Sequence, residues 1–112
     1  MEFSGTVGQG RGFGRTLGFP TANIPLTEAC VSGVYAATVR VDGEEFPSAA
    51  YAEPARGVLE AHLLDWTGDL DDKKITVTLY DKVRDPEVFT DELALMKAIA
   101  ADVAKIRESF PH

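Results

Sequence analysis

Gly33-Val34-Tyr35-Ala36-Ala37-Thr38-Val39-Arg40-Val41-Asp42-Gly43-Glu44-Glu45-Phe46-Pro47-Ser48-Ala49-Ala50 is the stretch that decides the fold. Tyr35, Ala37, Val39 and Val41 alternate with Val34, Ala36, Thr38 and Arg40, the two-residue period of a strand with two distinct faces. Asp42-Gly43 then supplies a pair that tolerates positive φ, which a two-residue hairpin turn demands. Glu44 to Ala50 returns as the partner strand. Antiparallel pairing over a tight turn is therefore the local rule from which the rest of the chain is read.

The rule repeats on both sides of the hairpin. Glu2 to Val7 reads as a first strand, interrupted by Gly5. Thr21 to Ile24 is extended or turn-like, and Pro25 keeps it from becoming helical. Tyr51 to Gly57, with Pro54, Arg56 and Gly57, reads as a short connection. Val58 to Leu64 is a further strand, with Leu59, Ala61 and Leu63 on one face and Val58, Glu60, His62 and Leu64 on the other. Thr67 to Lys73 is an acidic turn, and Lys74 to Val83 the next strand, with Ile75, Val77 and Leu79 inward and Val83 a further inward candidate. After Arg84-Asp85-Pro86 the period changes. Thr90 suits an N-cap, and Asp91 and Glu92 suit a first helical turn. Leu93, Met96, Ala100, Val103, Ile106 and Phe110 then form one helical stripe, which Pro111 ends. Short strands followed by one amphipathic helix predict a mainly β fold: a six-stranded antiparallel, Greek-key-like closed barrel with one C-terminal helix packed on it.

The totals limit what such a barrel can do. A chain of 112 residues predicts one domain, residues 1–112, large enough for a core without disulfide staples. Eighteen acidic residues against eleven Lys and Arg give a net charge of -7, which argues against nucleic-acid binding. Cys30 is the single cysteine, so no intrachain disulfide forms, and it reads as a small buried filler. A free thiol fits a reducing cytosol. No apolar run approaches a membrane span and no signal-peptide pattern opens the chain, so a cytoplasmic, non-membrane domain is expected.

The segment Gly8-Gln9-Gly10-Arg11-Gly12-Phe13-Gly14-Arg15-Thr16-Leu17-Gly18-Phe19-Pro20-Thr21-Ala22-Asn23 holds half of the chain's ten glycines. Bare backbone N–H groups and two guanidinium groups suit an anion. The P-loop pattern fails, since no Gly-Lys-Ser/Thr occurs, and the dinucleotide pattern fails because Arg15 and Phe13 stand where a third glycine belongs. Taken alone, the glycines fit an idle flexible hairpin as well as a phosphate loop. The tail of the segment, Gly18-Phe19-Pro20-Thr21-Ala22-Asn23, separates the two readings.

At that tail the chain resembles the riboflavin kinase (flavokinase) family, whose signature is a glycine/arginine-rich flap followed by G-[FI]-P-T-A-N. Ser32-Gly33-Val34-Tyr35-Ala36 is similar to the family's strand start. Glu60-Ala61-His62-Leu63-Leu64-Asp65-Trp66 is similar to its E-x-H-L-L-D-F segment. Gly68-Asp69-Leu70, Arg84 with Phe89, and the helix from Leu93 through Asp102 follow in the family's order. In many bacteria this domain is joined to an upstream adenylyltransferase domain. This chain begins where the kinase domain would begin, so a single kinase domain without the adenylyltransferase domain is expected.

The resemblance implies ATP-dependent phosphorylation of riboflavin to FMN, with ATP/ADP and riboflavin/FMN as ligands and Mg²⁺ as the metal. It implies that Thr21 and Asn23 hold the metal through hard oxygen donors. It places Gly8, Gly10, Arg11, Gly12, Gly14, Arg15, Gly18, Pro20 and Thr21 around the nucleotide phosphates, Glu60 as the general base, and Arg84 at the flavin. Read from the strand pattern alone, Glu60 is equally a solvated outward residue, Arg84 a strand-end charge, and Thr21 and Asn23 ordinary turn formers. A monomer is expected.

Two stretches depart from the family pattern. Ala49-Ala50-Tyr51-Ala52-Glu53-Pro54-Ala55-Arg56-Gly57 lacks the family's asparagine and is short before Glu60. Asp71-Asp72 stands where the family has an aromatic-glycine pair. The alternative function is accordingly a non-catalytic flavin- or nucleotide-binding barrel module derived from a riboflavin kinase.

Overall fold

A computed structural model describes residues 1–8, 22–28, 31–64, 70, 72–86 and 91–109, without the side chains of residues 92, 95 and 109. The described residues form six strands and one long helix: β1 (Glu2–Thr6), β2 (Ala22–Pro25), β3 (Gly33–Val41), β4 (Glu44–Glu53), β5 (Val58–Leu63), β6 (Lys74–Arg84) and α1 (Glu92–Ser109). The sheet order is β1-β6-β3-β4-β5-β2, every pairing antiparallel. A Gly8–Asn23 bridge brings the end of the β1 segment against β2, so the six-stranded sheet curls into a nearly closed barrel. Closure leaves few unpaired strand edges, which suits so small a β domain.

The β3–β4 hairpin forms as its sequence dictates. Asp42 and Gly43 take φ of 51° and 81°, the pair of positive values that matches the twist of the flanking strands. Its partner strand runs longer than expected. β4 continues through Tyr51, Ala52 and Glu53, each paired to β5, until Pro54 ends the ladder and opens a 3₁₀ turn over Pro54–Arg56. Tyr51 is thus a strand residue and not part of a connection.

Alternation along the strands sends one set of side chains into the barrel. Ile24, Leu59, Ala61, Leu63, Ala37, Val39, Ile75, Val77 and Leu79 are buried there. The other face is covered where α1 lies across it, and Val34, Ala36, Ala49, Leu64, Ile99, Val103 and Ile106 form a second apolar cluster between sheet and helix. The buried helix face is Ile99, Asp102, Val103 and Ile106, while Leu93 is half-exposed and Ala100 faces solvent. The sequence stripe was therefore rotated, because it followed hydrophobicity and passed over Asp102. The helix is capped by Asp91, whose carboxylate accepts a 3.0 Å hydrogen bond from the Leu93 N–H; Thr90, the expected cap, lies outside the described residues.

Two register irregularities between β3 and β6 re-aim the end of β6. Tyr35 pairs with Lys82 and Val34 with Arg84, so β6 carries extra residues there. Val83 consequently packs beneath α1 instead of inside the barrel. The start of β3 crosses this bulged end closely: Gly33 has φ of 109°, and a Cβ on it would sit 2.5 Å from the Arg84 carbonyl oxygen. Only glycine fits both conditions.

Candidate active site

Strand register gathers the candidate residues without help from any loop. Asn23 on β2 lies opposite Glu60 on β5, Glu60 opposite Tyr51 on β4, Tyr51 opposite Val34 on β3, and Val34 opposite Arg84 on β6. Directly opposed residues project from the same face with Cβ atoms about 5 Å apart. Asn23, Glu60, Tyr51 and Arg84 therefore form one transverse row on the outer face of the barrel, beside the edge of α1.

At one end of the row, the Gly8 N–H donates to the Asn23 carbonyl oxygen at 3.0 Å. A Cβ at Gly8 would lie 3.2 Å from Asn23 Oδ1, so the missing side chain leaves the amide oxygen room. Gly8 and Asn23 are the described members of the phosphate and metal set. Gly10, Arg11, Gly12, Gly14, Arg15, Gly18, Pro20 and Thr21 lie outside the described residues, as does Cys30. Among the described residues, no group of three or more His, Cys, Asp and Glu is placed to hold a metal. A cation here would depend on neutral oxygen donors such as the Asn23 amide and on the ligand's own oxygens.

Glu60 is not the solvated residue that its alternating strand allowed. It is 7% exposed, and its Oε1 is buried without a hydrogen-bond partner among the described residues. Desolvation is the main force raising its pKa above the ordinary carboxylate value; Glu53 adds to the rise and Arg56 opposes it. Those two neighbours are themselves joined by a 2.8 Å ion pair at the 3₁₀ turn. His62 follows Glu60 by two residues on the same face and is half-buried.

Tyr51 stands next in the row. Its ring packs against the apolar cluster under α1, and its hydroxyl is buried with no hydrogen-bond partner among the described residues. Burial, then the charge of Asp102, pushes the phenol well above its ordinary pKa; Arg84 pulls the other way and Glu60 adds a smaller rise. The hydroxyl is a neutral donor at any working pH.

Arg84 closes the row in a different state. Its Nε donates to Asp102 Oδ1 at 2.9 Å and its Nη2 to Asp102 Oδ2 at 2.8 Å, a two-pronged pairing that ties β6 to α1. Nη1 reaches the Asp85 carbonyl oxygen at 3.3 Å. The guanidinium expected at the flavin is thus oriented by a helix carboxylate that is 4% exposed. Asp102 and Tyr51 are the residues that sequence reasoning passed over. An acidic residue set between Ile99, Val103 and Ile106 on a buried helical face was the available signal for Asp102. For Tyr51 it was the strand alternation running on to Pro54.

Comparison with known proteins bears on the family and the fold. A family model described as riboflavin kinase (Flavokinase) matches residues 1–110. A bifunctional riboflavin kinase/FMN adenylyltransferase of Pseudomonas fluorescens is 40% identical over 96% of this chain and 37% of that protein. One from Escherichia coli is 41% identical over 98% of this chain and 38% of that protein. The chain thus spans little more than a third of the length of these relatives. Among solved structures, the riboflavin kinase of Trypanosoma brucei superposes with a TM-score of 0.66 at 26% identity, covering 96% of this chain and 78% of that one. A structure described as a macrolide-efflux protein from Streptococcus pneumoniae gives 0.80 at 26% identity, covering 95% of this chain and 38% of that one. No helix of the described residues is long and apolar enough to cross a membrane.

Proposed function

The chain belongs to the riboflavin kinase (flavokinase) family, and on that premise we propose that residues 1–112 act as one kinase domain that transfers the γ-phosphoryl group of ATP to the ribityl 5′-hydroxyl of riboflavin, giving FMN. The observation that carries the reading is the cross-strand adjacency of Asn23 and Glu60, with Glu60 buried and its Oε1 unpartnered among the described residues. Phosphoryl transfer needs an alcohol, a proton acceptor and a phosphate clamp held in line, and little covalent help from the protein. Neighbouring strands supply the acceptor and one corner of the clamp at a fixed spacing, which a rigid sheet holds better than a loop.

Glu60 takes the proton from the ribityl hydroxyl as its oxygen attacks. Burial raises the carboxylate's proton affinity, and a base whose pKa moves toward working pH gains driving force for the transfer. Asn23, with Thr21, is suited to hold a divalent cation such as Mg²⁺, whose role when bound is to neutralise charge on the phosphate oxygens. We assign the nucleotide phosphates to backbone N–H groups between Gly8 and Gly18, with Arg11 and Arg15, and place Pro20 in the same set. A protein of net charge -7 needs such local cations to accept ATP. Arg84, oriented by Asp102, is the guanidinium we place at the flavin, where a planar group can stack on a ring.

Incubation of the protein with riboflavin, ATP and Mg²⁺ should give FMN resolvable by chromatography. Riboflavin bound but left unphosphorylated at saturating ATP would overturn the kinase reading and identify a binding module instead.

A further inference from the structure

We infer that Tyr51 is the hydrogen-bond donor of the acceptor-alcohol site, paired with Glu60 as its acceptor, so that the two side chains together recognise the terminal hydroxyl of the flavin's polyol chain. The inference rests on reading this row as the flavin site and adds a specificity-determining residue to it. Tyr51 and Glu60 are direct cross-strand partners in the centre of the row. Their side chains hold the two buried N or O atoms that lack a partner among the described residues, Tyr51 Oη and Glu60 Oε1. A buried polar group left unpaired is costly, so two on adjacent strands are a standing cost that a ligand can relieve. One is a donor and the other an acceptor, and an alcohol needs both: it donates its proton and accepts one in return.

Packing decides which of the two is adjustable. The Tyr51 ring is fixed against the cluster beneath α1, with Val34, Ile99 and Val103 among its members, so its hydroxyl is delivered at a set position. Arg84 and Asp102 act on that hydroxyl electrostatically but are satisfied by each other through two hydrogen bonds. Neither occupies the Tyr51 hydroxyl. Burial keeps the phenol protonated and able to donate, while the Glu60 carboxylate beside it repels an anionic terminus, so the pair favours a neutral hydroxyl.

The test compares riboflavin with 5′-deoxyriboflavin, which lacks the terminal hydroxyl, by quenching of flavin fluorescence. Wild-type protein should bind riboflavin more tightly than the deoxy compound. Tyr51→Phe should weaken riboflavin binding roughly three- to tenfold, the worth of one hydrogen bond, and leave 5′-deoxyriboflavin binding unchanged. In the ligand-free state the same variant should melt no lower than wild type, because it removes an unpaired hydroxyl. Equal weakening for both flavins, a lowered melting point, or a wild type indifferent to the hydroxyl would each overturn the inference. Failure of the kinase reading looks different: a Tyr51-dependent preference for riboflavin with no FMN formed keeps the alcohol site and removes the catalysis. Absence of any flavin binding by wild type removes both.

Discussion

Asp102 and Glu60 are the two acidic side chains buried among the described residues, at 4% and 7% exposure, and the fold treats them oppositely. Asp102 receives two guanidinium hydrogen bonds from Arg84, and both its oxygens are answered. Glu60, near the other end of the same row, has a buried oxygen with no partner among the described residues and a pKa raised by desolvation. Burial alone therefore says little about a carboxylate. The satisfied one fastens a helix to a sheet. The unsatisfied one is a candidate for chemistry, since its cost is relieved only when something binds.

The sharpest way to break the comparison is Glu60→Gln. An amide keeps the shape and cannot accept the alcohol's proton, so FMN formation should fall on the order of 100- to 10,000-fold, measured at saturating riboflavin and ATP. A rate within a few-fold of wild type would place Glu60 with the structural carboxylates.

Next in size is the Arg84–Asp102 pair. Arg84→Met leaves a buried carboxylate uncompensated and should cost about 3 kcal/mol, read as a lowered urea midpoint. Adding Asp102→Leu should restore much of the loss, because a pair replaced by apolar groups is far less damaging than a pair half-removed. If the single variant melts like wild type, Asp102 is no better served than Glu60 and the contrast fails.

The smallest effect is a pH dependence of opposite sign to the usual carboxylate case. Folding raises the pKa of Glu60, so the folded state favours its protonated form. That contribution to stability is full below the unfolded carboxylate pKa and is lost as pH rises through the folded one. Glu60→Gln should therefore match wild type in acid and be the more stable of the two at neutral pH, as followed by melting curves across that window. A variant less stable than wild type at neutral pH would mean that the Glu60 carboxylate is held by favourable partners.

Much of this contrast could be read before any coordinates. Alternation placed Glu60 on the face opposite Leu59 and Ala61, and the Asp42-Gly43 turn set the pairing of β3 with β4. What alternation lacks is register between strands distant in sequence. Nothing in the chain alone says that Asn23 lies opposite Glu60, or that Val34 links Tyr51 to Arg84, because those alignments depend on barrel closure and on the bulged end of β6. Burial of Glu60 was equally hidden, since an outward face is exposed or covered according to what packs on it. The helix stripe misled for a related reason: Leu93 and Ala100 fit the hydrophobic period but are exposed, while Asp102 breaks the period and is buried against Arg84.

The contact between Gly33 and the Arg84 carbonyl gives a family-motif residue a reason that has nothing to do with catalysis. Any side chain at position 33 would push the end of β6 outward, and with it the arginine that grips α1. Gly43, by contrast, has open space around its missing Cβ. In terms of permitted variation, the glycine of Gly33-Val34-Tyr35 is closed to substitution by crowding, and the helix's seat on the barrel is inherited through a strand residue that lies outside the helix.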